Sequence, residues 1–517
     1  MKTFSGKKNI QEQFPDLLFD ESRFSSGIPE KLYFPRTQSD VIEITLEALS
    51  SRKPITLIGA QTGITGSGVP IDDCIAVSFS EMNAIERVDW TDPLSPVLYC
   101  QPGVTLSAIA LFLQNPSAST EGTALLEPGA WLYPPDPTEM SAQLGGTAAT
   151  NASGARSFFF GPTRKHIAAL SLVFADGQAL PLKRGDAAES NGIITLADAR
   201  GGIFPVKRPD YESMALKNAA GYYSKKNMDL IDLFIGSEGT LAIFTEIGIA
   251  LTKAQRSMGG LSFFPSRLAA FNFAEFLRGR SDVAAIEFFD ENALILSRHA
   301  TAPDGRKLPP YPVVARAAVY WEYLETSAPF EERMDAWEKA LVECGSTLDS
   351  TWSGFDKKET ALLKWFRHSV PEMINAVVAD YKRECPDIRK ISTDAALPGR
   401  FFTQTTEQCV DMVEKSKLHY VLFGHLGDFH LHCNLLPRTQ AELTVALEVY
   451  ENIMELVIAR QGTVSAEHGI GKMKRAYLAR QYGPAALMEM VRLKSHFDPL
   501  WLLNRGNLFD RLPQHIL

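Results

Sequence analysis

The chain has 517 residues, 45% apolar and 22% charged, with 36 glycines and 30 prolines. These ordinary proportions exclude a disordered, collagenous or coiled-coil protein, and at roughly 150 residues per domain they supply two large domains or three smaller ones. The net charge of −9 lacks the basic excess that phosphate-backbone binding draws on, so nucleic acid is not an expected partner and an anionic small molecule needs cations placed locally.

The N-terminal MKTFSGKKNIQEQF carries lysines but no apolar core of signal-peptide length, and no stretch reaches the roughly 18 apolar residues of a membrane span. A cytoplasmic location, with membrane contact at most peripheral, is the expectation. From Thr37 to Ser51 the apolar residues Val41, Ile42, Ile44, Leu46 and Leu49 among acids predict a capped helix, followed by the strand PITLIG. The runs IAVSF, PVLYCQPG, IAALSLVFADG and LAIFTEIGIALT, separated by Gly, Pro and Asp, predict an α+β first half ending near Leu251. Lys183 to Ser213 is polar and turn-rich and is expected to be an excursion or surface loop. Beyond Lys253, predicted helices at Ser266–Arg278, Ser327–Cys344 and Gln440–Gln461 alternate with strands AAIEFF, ARAAVYWEY and HYVLFGHL, a second α+β domain without repeats. The last 50 residues read as helical and end in a Pro499–Asn507 segment. Six scattered cysteines form no CxxC pair, so neither a zinc ribbon nor an iron–sulfur site is signalled.

Three glycine-rich segments stand out. In LIGAQTGITGSGVP, directly after a strand, Gly59, Gly63, Gly66 and Gly68 permit backbone N–H groups to converge on an anion such as a pyrophosphate. The spacing matches neither GxGxxG nor GxxxxGK[ST], and alone such a loop serves equally as a tight turn. YPPDPTEMSAQLGGTAATNASGARSFFFGPTR and KNAAGYYSKKNMDLIDLFIGSEGTLAIFTEIGI add backbone stripped of side chains, suited to lie against something large and flat.

GAQTGITGSG, PPDPTEM with LGGTAATNASG, KNAAGY and IGSEGTLAIFTE, in this order, resemble the FAD-binding (PCMH-type) domain of the vanillyl-alcohol-oxidase family. The branch is that of the D-lactate and D-2-hydroxyglutarate dehydrogenases and the flavin subunit of glycolate oxidase. The resemblance runs from about Phe34 to Asn507. It implies a two-part FAD-binding domain at 1–252, an α+β substrate or cap domain at 253–450, and a helical C-terminal segment at 451–517 that returns to the flavin. Gly59, Ala60, Gln61, Thr62, Gly63 and Gly66 would wrap the pyrophosphate. Pro135, Asp136, Thr138, Gly145, Gly146, Asn151, Ser153 and Gly154 would line the rest, with Ile243 and Asn504 near the flavin end. The family loop begins Arg-Gly-Gly-Gly-Thr, whereas Ile58 holds the Arg position here and Ala60 and Gln61 replace two glycines, so Arg156 or Arg164 is expected to compensate. No His lies in this loop, and FAD is expected to bind noncovalently. The family's terminal Asn-Pro-Gly-Lys appears as NRGN, Asn504 to Asn507, without the lysine.

Four of the ten histidines fall in FGHLGDFHLHCN and SAEHGIGKMKR. His430 and His432, two apart on a strand, point to one face, and His425 lies across a short turn, so two or three imidazoles converge. With a carboxylate they form the ligand set of Zn, Mn, Fe or Co rather than Ca or Mg. By resemblance, His425, His432 and Glu467 bind a divalent metal, Zn or Mn foremost, His468 is the base, and Asn434 positions substrate or ligand. His430 departs from the family's Asn and is read as a partner that orients a ligand, a fourth ligand or a plain strand residue remaining open. In WFRHSVPEM, Arg367 takes the place of the family's carboxylate clamp.

The implied activity is oxidation of a D-2-hydroxy acid to the 2-oxo acid, with hydride passing to flavin N5. Pro371 and Ser392 replace the family residues that read a second carboxylate, with Lys390 nearby, which favours a lactate-like substrate. The electron acceptor is left open among quinone, electron-transfer flavoprotein, cytochrome and iron–sulfur protein. Alternatives are a non-redox transferase of the alkylglycerone-phosphate synthase kind, whose run of adjacent histidines is missing here, and a flavin subunit of an electron-transfer complex.

Overall fold

The structure is a computed structural model and describes residues 1–117, 120–122, 126–197, 203–298, 300–325, 330–354 and 356–510. The chain forms two compact units: Met1–Ser153, Gly161–Ala254 and Glu467–Leu517 make the first, and Gly154–Phe160 with Gln255–Ala466 make the second. Each is α+β. The units differ from the three-part division read from sequence in two places. The helix Gln440–Ala459 and the chain through Ala466 stay with the second unit, and Gly154–Phe160 joins it from inside the first.

In the first unit a four-stranded mixed sheet runs in the order Lys2–Ser5, Lys31–Phe34, Ile75–Ser78, Ile55–Ile58. The predicted helix is present as Gln38–Ser51. Thr37 caps it through a reciprocal pair in which its side chain accepts from Asp40 N–H and the Asp40 side chain accepts from Thr37 N–H, a feature worth about 1 kcal/mol. Val41, Ile44 and Ala48, at helical spacing, bury against Ile55, Ile75 and Val77. A second, antiparallel sheet orders Ile85–Asp89, Val97–Cys100, Ile243–Ala250, Ile167–Val173 and Ala179–Lys183.

The excursion or surface loop expected at Lys183–Ser213 contains a small antiparallel sheet of Glu189–Ser190, Ile193–Ala197 and Ile203–Lys207. The short runs IITL and IFPV have β character that their polar flanks outweighed in the sequence. The C-terminal segment closes the first sheet: Ile55 N–H donates to Leu502 O at 2.7 Å and Asn504 N–H donates to Ile55 O at 2.9 Å.

The second unit is built on an antiparallel sheet in the order Thr351–Gly354, Ser257–Phe264, Ala317–Leu324, Val283–Asp290, Tyr420–Gly424, His430–Leu435, Ile391–Ser392, with Ala395–Ala396 also paired to His430–Leu435. The predicted helices appear as Arg267–Arg278, Phe330–Glu343 and Gln440–Ala459; of the second, residues 327–329 lie outside the described residues. One further helix, Lys357–Tyr381, positions the site. Its stripe Leu363, Phe366, Val370, Ile374 and Val378 buries against Leu261, Ala285, Phe289, Ala318 and Tyr320. Arg367 lies on the same stripe, four residues from Leu363 and three from Val370. Pro371 inside this helix lacks the N–H that would bond the Arg367 carbonyl. Among the described residues, no helix is long and apolar enough to cross a membrane.

Candidate functional site

The strand Tyr420–Gly424 ends at His425, a single turn Leu426–Asp428 reverses the chain, and His430 begins the return strand. This hairpin brings His425, His430 and His432 together: each offers a ring nitrogen, and these atoms lie within 4.8 Å of one another. All three are buried. Nδ1 of His425 lies 2.6 Å from Glu287 Oε1, and Nδ1 of His432 lies 3.1 Å from the Thr393 carbonyl. Both partners are acceptors, so each ring carries its proton on Nδ1 and its lone pair on Nε2. Imidazoles held from behind by a carboxylate and a carbonyl are the usual support of a bound transition metal. The donor set fits Zn or Mn. His430 Nε2 faces Asp394 Oδ1 at 3.2 Å, and the other oxygen of Asp394 accepts from Ser465 Oγ at 2.8 Å. Asn434, on the same face of the strand, donates to the His432 and Val421 carbonyls at 3.2 and 3.4 Å.

Glu287 has no counterpart among the residues singled out from the sequence. It alternates with Ala285 and Phe289 toward the Lys357–Tyr381 helix, and its Oε2 lies 3.5 Å from Nε of Arg367. Burial raises the Glu287 carboxyl, but the Arg367 guanidinium and the hydrogen bond from His425 outweigh it and hold the group below the usual carboxylate range. One carboxylate therefore contacts both the expected metal-ligating imidazole and the expected carboxylate clamp. On the next strand Glu322 accepts from Tyr320 Oη at 2.5 Å and pairs with Arg156 at 2.8 Å.

Glu467 and His468 belong to the first unit. Glu467 Oε1 lies 2.5 Å from Lys217 Nζ, a buried pair, and accepts from Ser153 Oγ at 3.3 Å. The KNAAGY motif thus presents its lysine to the expected carboxylate ligand, and Ser153, expected at FAD, touches Glu467. The His468 carbonyl accepts from Thr65 Oγ1 at 3.3 Å, which ties the expected base to the first glycine loop. Glu467 follows Ala466, whose N–H donates to the Asp394 carbonyl at 2.8 Å.

The Gly59–Gly68 loop turns on positive φ at Gln61 (57°) and Gly66 (76°), and a Cβ on Gly66 would stand 2.8 Å from the Phe24 ring. Gly66 N–H donates to Asp20 at 2.7 Å, and the Gln61 amide donates to Leu17 O at 3.0 Å. Gln61 therefore anchors the loop to the N-terminal segment. Gln143 Oε1 is buried without a hydrogen-bond partner among the described residues, 3.6 Å from where a Cβ on Gly59 would sit. A Cβ on Gly146 would meet nothing within 4 Å, whereas Gly145 packs directly on Pro102. An orphaned acceptor beside an uncovered backbone face fits a flat dinucleotide. Pro135 is buried, Asp136 half-buried and Thr138 exposed. Asn151 ends the helix Leu144–Thr150 with φ 50° and accepts from Arg164 N–H at 2.9 Å. Gly154 falls in the second unit, and Ile243 belongs to the apolar core with Val77 and Val173.

The two arginines expected near the phosphates have other partners. Arg164 is spent on the Asp232 and Ile235 carbonyls and Arg156 on Glu322, because both guanidiniums satisfy buried acceptors of their own surroundings. Lys472 is the ammonium on the loop, donating to the Gly66 and Ser67 carbonyls at 3.1 Å and to Asn507 Oδ1 at 2.9 Å. Asn504 accepts from Leu57 N–H at 2.8 Å and donates to the Glu238 carbonyl at 2.7 Å.

Residues 29–183 match the family described as FAD binding domain, and residues 253–508 match FAD linked oxidases, C-terminal domain. The chain is 26% identical to the glycolate oxidase subunit GlcD of Bacillus subtilis over 98% of this chain and 95% of that protein. It is 27% identical to the probable mitochondrial D-lactate dehydrogenase of Danio rerio, covering 95% and 86% of the two chains, and 27% identical to the D-2-hydroxyglutarate dehydrogenase of Stutzerimonas stutzeri, covering 95% and 93%. In fold it is similar to a solved alkyldihydroxyacetonephosphate synthase, with a TM-score of 0.63 at 13% identity over 93% of this chain and 76% of the other. With matching families over both halves and relatives of one branch along its length, the chain belongs to the FAD-linked oxidases and is an FAD-linked oxidoreductase.

Proposed function

We propose that the protein oxidises a D-2-hydroxy acid to the 2-oxo acid, using noncovalent FAD and a divalent metal held by His425, His432 and Glu467. The observation that carries this reading is the pair of imidazoles whose Nδ1 atoms are fixed by Glu287 and the Thr393 carbonyl, with Nε2 left as the ligating atom. His430 lies in the same cluster, with Nε2 3.2 Å from Asp394.

The bound groups would supply two things, a hydride acceptor at flavin N5 and a Lewis acid that makes the substrate hydroxyl more acidic. The chain does the rest. The Arg367 guanidinium receives the substrate carboxylate while Glu287 fixes its orientation, and Asn434 steadies the strand that carries His432. His468 takes the hydroxyl proton, held in place by the Thr65 bond to its carbonyl. Pro371 and Ser392, which stand where the family's residues for a second carboxylate lie, support a substrate without one. The relatives named for D-lactate and D-2-hydroxyglutarate support the 2-hydroxy acid class.

Anaerobic addition of D-lactate and a panel of D-2-hydroxy acids should bleach the flavin absorbance. A bound-flavin spectrum unchanged by the whole panel would sink the reading. His468→Ala should keep FAD bound and lose most of the reduction rate.

A further inference from the structure

The back of the Gly59–Gly68 loop faces two carboxylates. Asp20 accepts the Gly66 N–H at 2.7 Å, taking one donor away from any anion in the loop. Glu238, fully buried, accepts from Ser67 Oγ at 2.6 Å and from the Ile470 and Gly471 N–H groups at 2.6 and 2.8 Å. A loop for a pyrophosphate so backed would repel its ligand. Lys472 reverses this. Its backbone N–H donates to the Thr65 carbonyl at 3.0 Å, and its ammonium donates to the Gly66 and Ser67 carbonyls and to Asn507 Oδ1. The approach depends on Gly471, where a Cβ would stand 2.1 Å from the Thr65 carbonyl oxygen. The side chain is 7% exposed, so solvent screens its charge weakly.

We infer that Lys472 is the positioning residue that sets the FAD affinity of the Gly59–Gly68 loop, by holding the Gly66 and Ser67 carbonyls and offsetting the charge of Asp20 and Glu238. The inference rests on FAD occupying this loop and not on the substrate or the metal. Burial pulls the Lys472 ammonium down to about 8, against the opposing charges of Glu238, Cys74 and Asp20 and with the help of Arg475. FAD affinity should therefore fall as pH rises through about 8, when the cation is lost.

The test is FAD dissociation from the full-length protein, followed by flavin fluorescence between pH 6.5 and 9.5 without substrate or added metal. Wild type should weaken with a midpoint near pH 8. Lys472→Met should bind FAD about tenfold more weakly at pH 7, the scale of one partly screened unit charge, and show no such midpoint. Lys472→Arg should retain wild-type affinity at pH 7 and lose the midpoint, since a guanidinium stays charged throughout this range. A Lys472→Met protein with wild-type affinity overturns the inference. If Lys472→Met fails to fold, a wild-type curve flat through pH 8, or one that Lys472→Arg reproduces, overturns it as well. Failure of hydroxy-acid oxidation would leave these readouts unchanged.

Discussion

Glu287 Oε1 lies 2.6 Å from Nδ1 of His425, and the partner oxygen lies 3.5 Å from Nε of Arg367. The proposed metal ligand His425 and the proposed carboxylate clamp Arg367 thus share one buried carboxylate. Partners of this kind typically contribute 10–100-fold to metal affinity when removed. Glu287→Ala should lower divalent-metal affinity by about that factor, measured by competition with a chromophoric chelator. Glu287→Gln, which keeps an acceptor for the imidazole, should lie between it and wild type. Unchanged metal affinity in Glu287→Ala would remove Glu287 from the site.

Lys217 and Glu467 form a buried pair across 250 residues of sequence. Lys217→Met removes this cation from the buried carboxylate. We expect the anaerobic flavin-reduction rate to fall roughly tenfold or more, with FAD still bound and Lys217→Arg recovering part of the loss. Stopped-flow absorbance at the flavin band decides this, and equal rates in Lys217→Met and wild type would contradict it.

Asp290 caps the helix Glu291–Ser297, accepting from Ala293 N–H at 2.8 Å, and burial pushes its carboxyl up to about 7. A carboxyl whose folded pKa exceeds its unfolded one binds its proton more tightly when folded. Stability therefore falls as pH rises from about 4 to about 7, by at most about 1.4 kcal/mol per pH unit from this group, and levels off above. Asp290→Asn keeps a good cap and abolishes the titration. Urea denaturation should show Asp290→Asn gaining on wild type between pH 5 and pH 8; a constant gap would refute the assignment.

Lys494 donates to the Thr240 and Leu503 carbonyls at 2.6 and 3.0 Å and pairs with Asp498, which itself accepts the Leu502 and Leu503 N–H groups. Both side chains are buried. Lys494→Ala would strand the carboxylate, costing about 3–5 kcal/mol. Lys494→Met combined with Asp498→Asn should cost less. Chemical denaturation of the two variants gives the ordering, and equal losses would show that the unpaired charge is not the cause.

The histidine cluster was legible in sequence because its members lie within eight residues, where strand periodicity and one turn dictate their meeting. The FAD-binding family was legible because three glycine-rich motifs occur in its order. Glu287 was not. It is a single acid in the apolar run AAIEFF, and its partners stand 80 and 138 residues away on a helix and a hairpin. Lys217, Lys472 and Lys494 were missed for the same reason: a lysine in sequence suggests a solvated surface, and only tertiary contact shows it buried on a carboxylate or a carbonyl. The strands Ile193–Ala197 and Ile203–Lys207 are hidden in the sequence by the polar residues that flank two short β runs.

The seven residues Gly154–Phe160 lie within the first unit in sequence yet supply the second with Arg156, which neutralises Glu322, and with Phe158, whose ring lies 2.8 Å from where a Cβ on Gly427 would sit. Gly427 is in the turn that spaces His425 from His430. The span 255–466 is therefore not a cassette that can be cut out and grafted onto another flavoprotein. Moved alone, it would lose the Arg156 guanidinium from its buried Glu322 and the Phe158 ring from its histidine hairpin.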